Sequence, residues 1–339
     1  MMKGIVCEQV EQFRYADLEE PVFTPGEAIV SIKRVGICGT DLHAYKGNQP
    51  FFTYPRILGH ELSGLIEQIG DNEEGFKAGD QVSIIPYLHC GKCVACRQGK
   101  TNCCTSIQVL GVHADGGMRE KISVPVTHLL NADGLSLEQA AVVEPFSIGA
   151  HAVRRSGLAA GDTVLVIGAG PIGLGIMALA RHAGANVIAM DVNNERLDFC
   201  QEWAKVDHIV NALDAPFVRL EALTGGDYPT IVFDATGNTH SMSAAVRYAA
   251  HGGTLVYVGL VKGYISFDDA EFHKRELTIM GSRNATKEDC QHVLEVIRAG
   301  GIDIDGYVTH LVPFDEMADH FESWLDPANK VIKAMIEWP

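Results

Sequence analysis

The hexapeptide Gly168-Ala169-Gly170-Pro171-Ile172-Gly173 constrains this chain more than any other stretch, because it fixes how one strand hands over to a helix. An apolar, strand-like run over 163–167 precedes it. A mostly apolar helix over 173–183 follows and is closed by Gly184. Glycines at this spacing permit a tight turn, close approach of backbone to a pyrophosphate, and close packing of helix on strand. The helix N-terminus adds a preference for an anion. Alone, the pattern would equally describe a flexible turn, so the surrounding sequence has to decide. Further strand-like runs at 187–190, 208–210, 230–233, 253–258 and 277–280 alternate with helical stretches such as 241–250. That alternation implies an α/β domain with a doubly wound parallel sheet.

Asp191 ends the second of these strands, 18 residues after Gly173. A carboxylate there can bind the adenosine ribose hydroxyls and would repel a 2′-phosphate, so the expected cofactor is NAD. Thr236 follows the fourth strand, and Val258, Gly259 and Leu260 follow the fifth, at the carboxyl edge where such ligands bind. Arg196, just past Asp191, completes the expected cofactor contacts.

Residues 1 to about 145 read differently, as short β-type segments (29–32, 62–69 and 81–85 among them) between Gly, Pro and Asp turns. Beyond Gly281 the text is mixed, with a helix around 289–299 and a strand over 331–337. This tail is expected to fold back onto the first domain. The expected divisions are 1–146, 147–283 and 284–339, which suits a chain of 339 residues and 36.7 kDa. A net charge of −16 disfavours nucleic acid or an anionic membrane as partner. Residues 1–20 carry charges throughout and hold no apolar signal core. The uncharged run 164–180 is 17 residues, is broken by Gly168, Gly170, Pro171, Gly173 and Gly175, and falls short of the ~20 that a membrane span needs. The expected location is cytoplasmic, and nine cysteines there point to thiolates and metal ligands rather than disulfides.

Cys90, Cys93, Cys96 and Cys104 stand as Cys-x2-Cys-x2-Cys-x7-Cys, among Gly91, Lys92, Arg97, Gln98 and Lys100. Four clustered thiols in so polar a stretch suit a closed, tetrahedral structural zinc. Spacing alone leaves Cys103 as an alternative to Cys104. Cys7, Cys103, Cys200 and Cys290 otherwise read as packing or surface thiols. Cys38, His60 and Glu61 supply a thiolate, an imidazole and a carboxylate, the ligand types of a catalytic zinc that keeps one position open.

These motifs together resemble the zinc-containing medium-chain dehydrogenase family. The matching phrases are Gly36-Ile37-Cys38-Gly39-Thr40-Asp41, Gly59-His60-Glu61-x2-Gly64-x5-Gly70, the cysteine lobe and Gly168 to Gly173. The resemblance implies an N-terminal GroES-like β domain, completed by the C-terminal tail, and a Rossmann domain. It implies oxidation of an alcohol to a carbonyl with a nicotinamide cofactor and two zinc ions per chain. It selects Cys104 over Cys103 in the lobe. Cys38 and His60 match the catalytic zinc ligands, with Asp41 orienting the histidine through its other nitrogen. Glu144, in Val143-Glu144-Pro145-Phe146, stands where classical members carry a second cysteine, whereas the polyol branch uses the residue matching Glu61. Either carboxylate in place of a thiolate makes the site harder. Thr40 and His43 match the proton relay, in which the alcohol proton passes to Thr40 and through the nicotinamide ribose toward His43. A homo-oligomer, dimer or tetramer, is also expected.

Within the family the chain looks most similar to the sugar-acid branch, whose members oxidise L-galactonate or L-gulonate at C5 to tagaturonate or fructuronate. The phrases are Gly47-Asn48-Gln49-Pro50-Phe51, Gly111 to Gly117, Glu144-Pro145-Phe146, Phe272-His273-Lys274 and Gly281-Ser282-Arg283-Asn284-Ala285. An aldonate needs a cation, and Arg283 follows the last Rossmann strand, where a guanidinium could hold a carboxylate bidentately. Glu144 and Asn284 complete the expected substrate contacts, with His113, His273 and Lys274 as secondary candidates. The rival readings are a neutral polyol such as sorbitol, the amino acid threonine, and a non-catalytic zinc-stabilised binding or sensory protein.

Overall fold

The computed structural model describes residues 1–49 and 52–339, so Pro50 and Phe51 of the phrase beginning at Gly47 lie outside the described residues. The chain forms two compact units, Met1–Pro145 with Ala285–Pro339, and Phe146–Asn284.

The first unit is built on a seven-stranded sheet. Along it run Val308–Pro313, Lys333–Glu337, Glu27–Gly36, Glu61–Ile69, Gln81–Ile84 and Leu129–Asn131, with Lys121–Pro125 also paired to Glu27–Gly36. The strand Glu27–Gly36 is rich in β-branched residues, and its Ala28, Val30, Ile32 and Val35 lie on the core. One edge of this strand is shared by two partners. Residues 27–31 pair with Lys121–Pro125, and residues 34–36 pair with Lys333–Glu337 from the C-terminal return. The tail strand read over 331–337 spans Lys333–Glu337 and lies in this sheet between Val308–Pro313 and Glu27–Gly36. A short ribbon, Tyr87–Leu88 against Gln108–Val109, forms the base of the cysteine lobe.

The second unit holds six parallel strands in the order His208–Asn211, Asn186–Asp191, Thr163–Ile167, Ile231–Asp234, Thr254–Tyr257, Thr278–Gly281. The order reverses at Thr163–Ile167, which creates the switch point of a doubly wound fold. Leu165, Ile167, Ile188, Met190, Val232 and Leu255 form the middle of its core. Parallel strands buried on both faces give such continuous apolar runs. The helix read over 241–250 is shorter than expected: Thr239–Ala244 is α-helical and Ala245–Tyr248 tightens to a 3-10 turn. Ala245 and Val246 of this turn, and Ala249 just after it, lie in the core. Among the described residues no helix is long and apolar enough to cross a membrane.

Candidate active site

Cys38 leaves the end of the strand Glu27–Gly36 and caps the N-terminus of the helix Gly39–Tyr45. His60 and Glu61 stand at the start of the neighbouring strand, Glu61–Ile69, whose Glu61 lies opposite Gly36. Sheet register therefore brings the two sequence phrases together. Ligand atoms of Cys38, His60 and Glu61 lie within 4.8 Å of one another. Buried Asp41 ties the two turns, accepting from the Cys38 N–H at 2.9 Å and the Gly59 N–H at 3.2 Å. His60 Nδ1 faces Asp41 Oδ1 at 3.7 Å and has no hydrogen-bond partner among the described residues. Burial disfavours charge on this imidazole, but Asp41 and Cys38 outweigh that and raise its pKa well above the usual value.

Glu144 lies in the first turn of the helix Val143–Ser156 and is buried. Burial raises its carboxyl to about 7, against the pull of His60 and with the repulsion of Glu61. The hydroxyl of Tyr87 donates to its Oε1. Glu61 is held by Lys333, whose Nζ lies 2.6 and 2.7 Å from its two oxygens. Tyr307, fully buried, has its pKa pushed up by burial and by the charges of Glu61 and Glu144, and is drawn down by Lys333. Sequence reading singled out none of Lys333, Tyr87 and Tyr307. Lys333 and Tyr87 each stand in an apolar stretch and Tyr307 follows a polar turn, so none carries a local signal. Thr40 is half-buried and His43 exposed, both on the helix that Cys38 caps.

The Sγ atoms of Cys90, Cys93, Cys96 and Cys104 form a second cluster, also within 4.8 Å of one another. Zinc–sulfur bonds of ~2.3 Å in a tetrahedron require sulfurs roughly 3.8 Å apart. Cys93 Sγ and Cys96 Sγ are 3.4 Å apart. Backbone N–H groups of Cys96 and Thr105 lower the Cys93 thiol to about 5, while burial and the neighbouring thiols push Cys96 up to about 12. Cys104 Sγ accepts from the N–H groups of Cys90 and Ser106 at 3.3 and 3.4 Å. Cys103 is exposed, whereas Cys7, Cys200 and Cys290 are buried apart from this lobe. Both donor sets fit zinc: four thiolates suit a closed site, and a mixed sulfur, nitrogen and oxygen set suits an open one.

In the second unit, Gly170 caps the helix Pro171–His182, with Pro171 and Ile172 in its first turn. A Cβ on Gly173 would stand 1.8 Å from the Gly168 carbonyl oxygen, so the turn itself excludes a side chain there. A Cβ on Gly170 would meet nothing within 4 Å, which leaves open space before the helix N-terminus. That cradle fits a pyrophosphate. Asp191 Oδ2 accepts from the Ala169 N–H at 2.7 Å and Oδ1 from the Asn193 N–H at 2.9 Å. Arg196 is exposed in the first turn of the helix Asn194–Glu202. Thr236 donates from N and Oγ1 to buried Asp234, and the N–H groups of Val258 and Gly259 share the Asp234 carbonyl. Leu260 is exposed. Arg283 and Asn284 close this unit, Arg283 exposed and Asn284 left-handed at φ 50°, whereas Glu144 belongs to the first unit.

Residues 24–134 match the alcohol dehydrogenase GroES-like domain, and residues 171–299 match the zinc-binding dehydrogenase domain. The chain is 45% identical to the L-galactonate-5-dehydrogenase of Escherichia coli K12, over 99% of this chain and 98% of that one. The chain belongs to the zinc-type medium-chain alcohol dehydrogenases. It is therefore an oxidoreductase that acts on CH–OH groups, which sets aside the non-catalytic reading. Among solved structures, the dehydrogenase resembles the alcohol dehydrogenase rspB of E. coli CFT073 in complex with NADH, with a TM-score of 0.93, 32% identity and 99% of each chain covered. It also resembles a zinc-binding dehydrogenase of Sinorhizobium meliloti 1021 bound to NADP, with a TM-score of 0.91, 28% identity, and 100% and 99% of the two chains covered.

Proposed function

We propose that this dehydrogenase oxidises the C5 hydroxyl of a six-carbon sugar acid, L-galactonate or L-gulonate, with NAD as the hydride acceptor. The observation that carries the substrate class is the 45% identity, end to end, with L-galactonate-5-dehydrogenase. Cys38, His60 and a carboxylate from Glu61 or Glu144 would hold the catalytic zinc, and Cys90, Cys93, Cys96 and Cys104 the structural one. Zinc at the first site supplies a Lewis acid for the alcohol oxygen. Asp41, 3.7 Å from His60 Nδ1, would orient the ring through its charge. Thr40 takes the alcohol proton, and His43, exposed on the same helix, returns it to solvent. Gly168, Gly170 and Gly173 leave the backbone open to the cofactor's pyrophosphate, and the Asp191 carboxylate selects an unphosphorylated ribose. Arg283 supplies the cation that an aldonate needs in a chain of net charge −16.

The test is NADH formation at 340 nm with a panel of aldonates, polyols and threonine, on the wild type and Arg283→Ala. Losing a charge-assisted bidentate contact costs about 1.5–3 kcal/mol, or roughly 10- to 150-fold in kcat/KM. That loss should fall on the aldonate and spare slow turnover of a neutral polyol. Sorbitol or threonine outperforming every aldonate would overturn the substrate. Equal losses on charged and neutral substrates would remove Arg283 from the carboxylate site.

A further inference from the structure

Tyr87 is 4% exposed, and its hydroxyl donates to Glu144 Oε1. Its main chain is fixed from two directions. Tyr87 pairs with Val109 in the ribbon that carries Cys90 on one side and leads from Cys104 on the other. The ring of buried His128 reaches the Tyr87 carbonyl at 3.3 Å, and the neighbouring Pro86 carbonyl accepts from the Leu110 N–H at 3.1 Å. A phenol has a single proton to give, and its ring cannot bend. Glu144 by contrast sits on the first turn of a helix, with rotatable bonds between its backbone and its carboxylate.

We propose that Tyr87 is a positioning residue for the catalytic centre: its hydroxyl occupies one Glu144 oxygen and so presents the other to the metal side of the site. The proposal rests on the reading that places Glu144 at the catalytic zinc. It explains why an ordinary flexible carboxylate can stand where a short cysteine would otherwise serve. The cysteine ribbon then has a second role, as the rigid base from which Tyr87 reaches Glu144.

The experiment follows zinc release from the zinc-loaded enzyme to a chromogenic chelator, for the wild type, Tyr87→Phe, Glu144→Ala and the double variant. This readout needs no substrate, so a wrong substrate assignment cannot affect it. Groups that orient metal ligands are worth about 10- to 100-fold in metal affinity. Tyr87→Phe should accelerate the faster release phase by that factor, leave the slower, lobe phase unchanged, and add nothing once Glu144 is alanine. Equal acceleration in both Glu144 backgrounds, or a change in the lobe phase, would make Tyr87 a structural residue and overturn the proposal. No effect of Tyr87→Phe alongside a clear effect of Glu144→Ala would overturn it as well. Should Glu144→Ala leave release untouched, the placing of Glu144 fails and the proposal falls with it.

Discussion

The ammonium of Lys333 binds both carboxylate oxygens of Glu61, at 2.6 and 2.7 Å, and gives its third hydrogen bond to the Ile37 carbonyl at 3.1 Å. All three Lys333 donors are thus used, and neither side chain is more than 2% exposed. Burial works against the Lys333 charge, but Glu61 more than offsets it and raises the lysine pKa. The strand Lys333–Glu337 runs beside Glu27–Gly36, so the last residues of the chain complete the surroundings of a zinc-ligand candidate.

Breaking this pair from one side leaves a buried, uncompensated carboxylate, which costs about 3–5 kcal/mol. Lys333→Met should therefore lower the urea midpoint of the zinc-loaded enzyme sharply. Lys333→Met combined with Glu61→Leu should recover much of the loss, because a buried pair can be replaced by apolar groups. If the single variant unfolded at the wild-type midpoint, the ion pair would have no structural weight.

The Rossmann half of this chain was legible because parallel strands covered on both faces must be apolar throughout, and the runs at 163–167, 187–190 and 230–233 are. The metal ligand phrases were legible because cysteine and histidine beside glycine have few other uses. Gly36 shows what was hidden within such a phrase: a Cβ there would stand 2.1 Å from Glu61 Oε2, a contact that depends on cross-strand register. Lys333 was unreadable for a related reason. A lysine in a strand normally snorkels to solvent, and here a carboxylate 272 positions away, with the Ile37 carbonyl, keeps it inside. Tyr87 gave no signal either, since a buried tyrosine usually finds some acceptor.

Metal analysis of the purified enzyme should give two zinc ions per chain. The lobe offers four sulfurs, and backbone N–H groups lower one of them, Cys93, to about 5, so that this ligand stands ready as a thiolate at neutral pH. The site of Cys38 and His60 offers a mixed and harder donor set. Under chelation two phases should appear, the catalytic zinc leaving first and taking activity with it while the fold remains. A single tightly bound zinc per chain would contradict the two-site reading.

In the proposed role Asp191 has a double load, because its carboxylate also accepts the N–H groups of Ala169 and Asn193 that shape the turn. Asp191→Ser should raise KM for NAD and narrow the preference over NADP by removing the charge that repels a 2′-phosphate. Each lost hydrogen bond to a charged group is worth about 1.5–3 kcal/mol, so part of the effect will fall on both cofactors. The ratio of kcat/KM values isolates the selective part. Faster turnover of the wild type with NADP at equal concentration would refute this role.

His128 should make the first unit acid-labile. Its ring is 6% exposed, lies 5.1 Å from the ring of His89, and contacts the Tyr87 carbonyl and the Thr127 hydroxyl. Burial, with repulsion from His89 and Lys287, depresses its pKa from 6.5 to about 4 against the Tyr87 hydrogen bond. The folded protein therefore keeps this imidazole neutral where the unfolded chain takes up a proton. Its contribution is complete above pH 6.5 and is lost progressively as pH falls toward 4. Between pH 7.5 and 5 the loss from this group should be about 2 kcal/mol. His128→Gln should cost some stability at pH 7.5, through its contacts, yet flatten the decline toward pH 5. Urea unfolding of both proteins at the two pH values measures the difference directly, and parallel declines would show that other groups govern the acid limb.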